Sequence, residues 1–345
     1  MEPVSGAPDV LLRAAVCVML VLGCGGAAAQ DRPQFRSSLF GSQAANTAAP
    51  AKALFGAAAS PAPLSARAIG TYSRGCLAGA VALPIDGPGW QVMRLSRNRN
   101  WGHPRLIAYL ERLARDARAI GWSGLLIGDL AQPRGGPMLT GHSSHQIGLD
   151  ADIWLTPMPN RRLTRSERET MTAISMLRDP LNVDRNLWSL RHTQLIERAA
   201  SYVEVERIFV HPAIKQALCD QARHDRAWLS KVRPWWGHYY HFHVRMACPR
   251  GSASCKRQPE VAPGDGCGAE LDDWFQRLLQ AELKPAEPDT SAEARPLTLA
   301  DLPNDCRIVL TSGGGGAPPA KRRTADKPAG PPPPRLRFVP LGAGD

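Results

Sequence analysis

The sequence predicts an α+β domain, on three observations. Apolar residues recur at helical spacing through Leu106, Ile107, Leu110 and Leu113. Two segments, LDADIWL (149–155) and HFHVRMA (241–247), alternate polar and apolar residues with the period of a strand. A short strand-like run, RIFV (207–210), leads at once into the helical pattern PAIKQALC (212–219).

Taken in order, the chain opens with Arg13, the apolar run AAVCVMLVLG and then AAAQ, in which Ala27 and Ala29 form an A-x-A cleavage pattern. This predicts a signal peptide over 1–29. The apolar run is shorter than the roughly 20 residues that span a bilayer, so no integral membrane segment is expected after its removal. Lipid attachment at Cys24, within VLGC, is the rival expectation. Residues 30–69, rich in Ala, Ser and Pro, are expected to be a flexible linker, with order beginning near Gly70. Pro104 suits a first helical position for a helix reaching about Ile120, and GLLIGDL (124–130) follows as a buried strand. A second linker is expected at PAEPDTSAEARP (285–296), and residues 311–345 are expected to be a Gly/Pro-rich basic tail, disordered or extended. One compact domain, 70–310, carries every feature of chemical interest.

Charge and cysteines bound the function. The formal net charge of +11 and the isoelectric point near 9.6 predict attraction to polyanions. No basic nucleic-acid motif is present, so an envelope polymer rich in carboxylate or phosphate fits an exported protein better than nucleic acid. A solvated basic surface with the tail residues Lys321, Arg322 and Arg323 accounts for the same excess. Cleavage removes Cys17 and Cys24 and leaves six cysteines, the even number expected for three disulfides in an oxidising compartment. Spacing alone leaves all of their connectivities open, and there is no C-x-x-C pair to suggest thiolate ligation of a metal.

Histidines and aspartates concentrate in two short segments. GHSSHQIGLDADIWL (141–155) contains His142, His145, Asp150 and Asp152, and WWGHYYHFHVRMACP (235–249) contains His238, His241 and His243. Strand alternation puts Asp150 and Asp152 on one face, with Leu149, Ala151 and Ile153 on the other. It likewise separates His241, His243 and Arg245 from Phe242, Val244 and Met246. Imidazoles two residues apart on a strand lie roughly 6 to 7 Å from each other. One can then bind a metal while its neighbour handles a proton. A catalytic zinc has three protein ligands and one open position, and His145, Asp152 and His243 make such a set. The helical signature H-E-x-x-H is absent.

The spacing H-x6-D at His145 and Asp152, followed by H-x-H at His241 and His243, resembles the metallopeptidase group that includes lysostaphin-type and D-Ala-D-Ala peptidases. GHSSHQIGLDADIWL, LLIGDL, RIFVHPAIKQALC, KVRPWWGHYYHFHVR and GDGCGAELDDWF are more closely similar to the penicillin-insensitive murein endopeptidase family, across most of residues 70–275. The resemblance implies an antiparallel sheet core with flanking helices and disulfide-tied loops. It also implies a zinc ion held by His145, Asp152 and His243, with His142 linked to metal binding. His241 is implied as general base or transition-state stabiliser, with His238 beside it in that role. Members of the family have a second metal site with an Asp and a His; Asp179 fits, but Asn182 stands where the His is expected. The implied bridges are Cys76–Cys306, Cys219–Cys267 and Cys248–Cys255.

The implied reaction is zinc-dependent hydrolysis of the D-alanyl-meso-diaminopimelyl cross-link of peptidoglycan in the periplasm, by direct attack of activated water. Arg245 is a weaker candidate for stabilising the developing oxyanion. The chain has neither an S-x-x-K motif nor a G-x-S-x-G elbow, so it offers no serine for a β-lactam to acylate. Trp235, Trp236, Tyr239 and Tyr240 are expected either to line a peptide groove or to join the core. Two alternatives use the same residues: a zinc D,D-carboxypeptidase or dipeptidase that trims stem peptides, and a non-catalytic murein-binding protein. A homo-oligomer is compatible with the sequence.

Overall fold

The computed structural model describes residues 49–223, 225–283 and 295–313. The expected signal peptide, Cys24, the tail from 314 onward and nearly all of the 285–296 linker lie outside the described residues. At the centre is a seven-stranded sheet in the order Val232–Pro234, Val205–Val210, His241–Met246, Asp150–Trp154, Leu125–Ile127, Trp90–Val92, Asp86–Gly87. Its middle pairings are antiparallel. Val232–Pro234 runs parallel to Val205–Val210 and Trp90–Val92 parallel to Leu125–Ile127, while Asp86–Gly87 at the edge pairs antiparallel with Trp90–Val92, so the sheet is mixed toward its edges. The fold is α+β, as the segment patterns predict.

Helices follow the same physical cues. Pro104–Ala119 begins at a proline whose missing N–H costs nothing in a first turn, and His103 accepts the Arg105 N–H at its start. Its buried stripe, including Leu106, Leu110 and Leu113, packs into one core with the sheet residues Ala151, Ile153, Phe242 and Val244. The helix Pro212–Gln221 repeats the arrangement, with His211 accepting the Ala213 N–H. Among the described residues, His103 and His211 therefore serve as helix N-caps. The helix Leu190–Ser201 adds Leu195, Ile196, Ala199 and Ala200 to the same core.

The linker expected over 30–69 needs correction in its second half. A helix spans Ala51–Gly56 and a strand spans Arg67–Thr71, the latter paired with Arg74–Ala78. Ala51 and Phe55, one helical turn apart, are buried with Ala62, Ile69, Leu299, Leu302 and Val309 in a second apolar cluster. Small, weakly periodic residues read as loop in the sequence, but a partner segment more than 200 residues away supplies the surface that orders them. Ala51 donates its N–H to the Leu297 carbonyl across that interval.

Three disulfides tie the loops: Cys76–Cys306, Cys219–Cys267 and Cys248–Cys255. The first pins the second apolar cluster, in which both of its cysteines are buried. The third closes the turn after His241–Met246. No helix among the described residues is long and apolar enough to cross a membrane.

Candidate metal centre

The two middle strands assemble the site. Their antiparallel register sets His243 opposite Asp152, Arg245 opposite Asp150 and His241 opposite Trp154. Every residue of both strands is buried. Alternation sends Ala151, Ile153, Phe242 and Val244 into the core, leaving the two aspartates, the two histidines and Arg245 on the opposite face.

A loop brings the remaining histidines to them. It turns through Gly141 (φ 76°), His145 (φ 65°) and Gly148 (φ 69°). At Gly148 a β-carbon would lie 2.3 Å from Leu77 Cδ2, so close packing demands glycine as much as the dihedral does. His145 adopts a left-handed conformation that is uncommon outside glycine, and its N–H donates to Asp150 Oδ2 at 2.9 Å.

The carboxylate of Asp152 is the hub of the arrangement. Its Oδ1 lies 3.2 Å from His243 Nδ1, 3.4 Å from His145 Nε2 and 3.5 Å from His241 Nε2. Its Oδ2 lies 3.4 Å from His142 Nε2, which also stands 3.1 Å from Asp129 Oδ2. His142, His145 and Asp152 each offer a ligand atom within 4.8 Å of the others.

These side chains fit a metal ion. Asp152 Oδ1, both ring nitrogens of His145 and His241 Nδ1 are buried without a hydrogen-bond partner. Burying unsatisfied polar groups is costly, and native interiors hold few of them. A set of imidazole nitrogens and one carboxylate oxygen, converging in one place, is a donor set for a divalent cation such as zinc. His243 Nε2 lies 3.1 Å from Asp150 Oδ1 but is not squarely aligned with it.

His238 and His241 are suited to carry protons. Burial pushes the His241 imidazole down to about 4, against the pull of Asp152. The His238 imidazole is pushed down to about 3 by burial and by the neighbouring His241 and His243. Both are neutral at neutral pH and hold a lone pair that can accept a proton. His238 also occupies a left-handed turn (φ 55°), its Nδ1 lying 2.8 Å from the Trp236 carbonyl, and its ring centroid is 4.9 Å from that of His241.

Cavities flank the cluster on two sides. One, of about 540 Å³, is lined by Tyr72, Phe209, Trp235, Trp236, His238 and His243, among others. The other, of about 790 Å³, includes Arg97, Asp129, Asp152, Tyr240 and His241, and His142 lines both. Trp235 and Trp236 are 51% and 43% exposed, so they belong to the groove and not to the core; Tyr239 and Tyr240 are half-buried at its other side.

Other residues named from the sequence lie elsewhere or are engaged. Two donors of Arg245 are committed to Asp150, at 2.7 and 3.1 Å. Asp179 accepts from Asn182 and from the Leu181 N–H, and pairs with Arg178, inside a small hairpin. Asp129 was not foreseen. It is buried, contacts His142 and pairs with Arg97 and Arg99. Its only sequence signal is its place at the end of the strand-like run GLLIGDL.

Curated relatives called penicillin-insensitive murein endopeptidase include one from Haemophilus influenzae, 46% identical over 71% of this chain and 82% of the relative. One from Klebsiella pneumoniae is 45% identical over 71% of this chain and 86% of its own length. One from Escherichia coli is 44% identical over 72% and 88%. The family profile described as penicillin-insensitive murein endopeptidase matches residues 68–311, a span that holds the whole histidine and aspartate cluster and all three disulfides, and the chain belongs to that family.

Proposed function

We propose that the protein is a zinc-dependent murein endopeptidase of the periplasm that hydrolyses the D-alanyl-meso-diaminopimelyl cross-link of peptidoglycan. The observation that carries this reading is the convergence of His145 Nε2 and His243 Nδ1 on one buried, unpartnered oxygen of Asp152, at the meeting of two open cavities in a chain of this family. His145, Asp152 and His243 hold the zinc, and His142 stands beside them.

When bound, zinc supplies Lewis acidity that activates water near neutral pH and polarises the amide carbonyl. The chain's own groups do the rest. His241 accepts the proton of the attacking water, because burial keeps it neutral and it faces Asp152. His238, adjacent to it, stabilises the developing oxyanion or shares the proton. The groove walls, with Trp235 and Trp236 on one side and Tyr240 on the other, hold an extended peptide across the site. Hydrolysis by water needs no acyl-enzyme, which is why β-lactams have nothing to acylate.

Elemental analysis of freshly purified protein tests the metal. One tightly held zinc per chain is expected. A metal-free preparation that still digests murein would end the proposal.

A further inference from the structure

Asp150 is fully buried and takes only donors. Its Oδ1 accepts from Arg245 Nε at 2.7 Å and lies 3.1 Å from His243 Nε2. Its Oδ2 accepts the His145 backbone N–H at 2.9 Å and Arg245 Nη2 at 3.1 Å. Both oxygens are thus occupied, in contrast to Asp152 two residues on, whose Oδ1 has no hydrogen-bond partner. The strand that presents the Asp152 hub therefore presents a second carboxylate that faces the same two histidines from behind.

We propose that Asp150 is a positioning residue of the metal centre, selecting the tautomer of His243 and fixing the backbone of His145. This rests on the reading of His145, Asp152 and His243 as ligands. An ionised carboxylate can only accept, so the ring nitrogen nearest to it is the one that bears hydrogen. A neutral imidazole protonated at Nε2 keeps its lone pair at Nδ1, and Nδ1 is the atom that faces Asp152. The Nε2–H is not aligned with Asp150 Oδ1 for a hydrogen bond as it stands, and making one takes a turn of the His243 ring toward the carboxylate. On the loop, the same carboxylate draws in the N–H of His145, a residue whose left-handed backbone needs such a tether. Arg245 makes Asp150 rigid in turn. Its guanidinium is held over the Tyr72 and Phe209 rings, at 4.2 and 5.0 Å, and cannot swing away without losing both contacts.

Two measurements decide the matter. In Asp150→Asn the zinc dissociation constant, measured by chelator competition on protein shown to be folded by near-UV circular dichroism, should rise about 10- to 100-fold, as for other carboxylates that orient a ligating histidine. A folded variant that binds zinc within about twofold of the parent, against that expected range, would overturn the proposal. The second measurement needs no variant. Imidazole ¹⁵N shifts of His243 in the metal-free parent at mildly alkaline pH should report a single tautomer protonated at Nε2, with that proton hydrogen-bonded and slow to exchange. A proton on Nδ1, or an even mixture of tautomers, would overturn it. Failure of the parent itself to bind zinc would instead sink the ligand assignment, while the ¹⁵N result would still report on the contact between Asp150 and His243.

Discussion

His243 and Asp152 stand directly opposite one another on adjacent antiparallel strands, with Nδ1 3.2 Å from Oδ1. His241, two residues earlier, presents its Nε2 to the same oxygen at 3.5 Å. The two strand histidines thus share a face and a partner. They differ in that His243 is backed by Asp150 and raised in pKa, with burial outweighed by Asp150 and Asp152, whereas His241 is lowered.

That difference predicts separable phenotypes. His241→Ala should keep its zinc and lose turnover by roughly 10²- to 10⁴-fold, the usual cost of removing a general acid or base. His243→Ala should lose the metal together with activity. Zinc content and single-turnover rates of both purified variants check this; equal metal retention would show that ligand and base have been assigned wrongly.

The middle of the fold and the gathering of histidines and aspartates on one sheet face were legible in the sequence for one reason. Strand alternation is local, so LDADIWL and HFHVRMA reveal which side chains share a face before their partners are known. What pairs with that face is not local. Asp129 reaches His142 from just past a separate strand, Leu125–Ile127, and its place at the end of that run does not reveal what it meets. The role of Asp150 was half legible. Alternation put it beside Asp152, but only the register opposite Arg245 and the turn at His145 distinguish its saturated oxygens from the free one on Asp152. Residues 51–69 were misread because their order depends on the distant segment 297–309, joined to them by burial and held by Cys76–Cys306.

Lys215 gives a prediction about stability. Its fully buried ammonium donates to the carbonyls of Leu229 at 2.8 Å and Asp265 at 2.5 Å, and burial, followed by the charge of Arg233, pushes it down to about 7. An unfolded chain keeps that proton up to about 10.4, so between these values the unfolded state binds more protons and stability rises with pH. Lys215→Met should flatten this rise. Urea unfolding of parent and variant at several values from neutral to moderately alkaline pH checks it, and an unchanged slope would refute the assignment.

The disulfides should differ in what they contribute. Cys76–Cys306 spans 230 residues, Cys219–Cys267 spans 48 and Cys248–Cys255 only 7. In the loop-entropy model, closing the longest loop stabilises by about 5 kcal/mol and the shortest by about 2.5 kcal/mol. Paired Cys→Ser variants should therefore lower the melting temperature most for Cys76 and Cys306, and thermal unfolding by circular dichroism would detect the order. A larger loss at Cys248 and Cys255 would mean that native-state packing of that turn dominates over chain entropy.

The central claim is that a metal-dependent hydrolysis opens the murein cross-link, and muropeptide analysis by mass spectrometry tests it most directly. Purified protein incubated with cross-linked muropeptide dimers should convert them to monomers, with the reaction abolished by a zinc chelator, restored by added zinc and unaffected by benzylpenicillin. Release of terminal D-alanine from dimers that stay intact would contradict it and move the assignment to a carboxypeptidase. Conversion that persists in chelator would remove the metal from the mechanism.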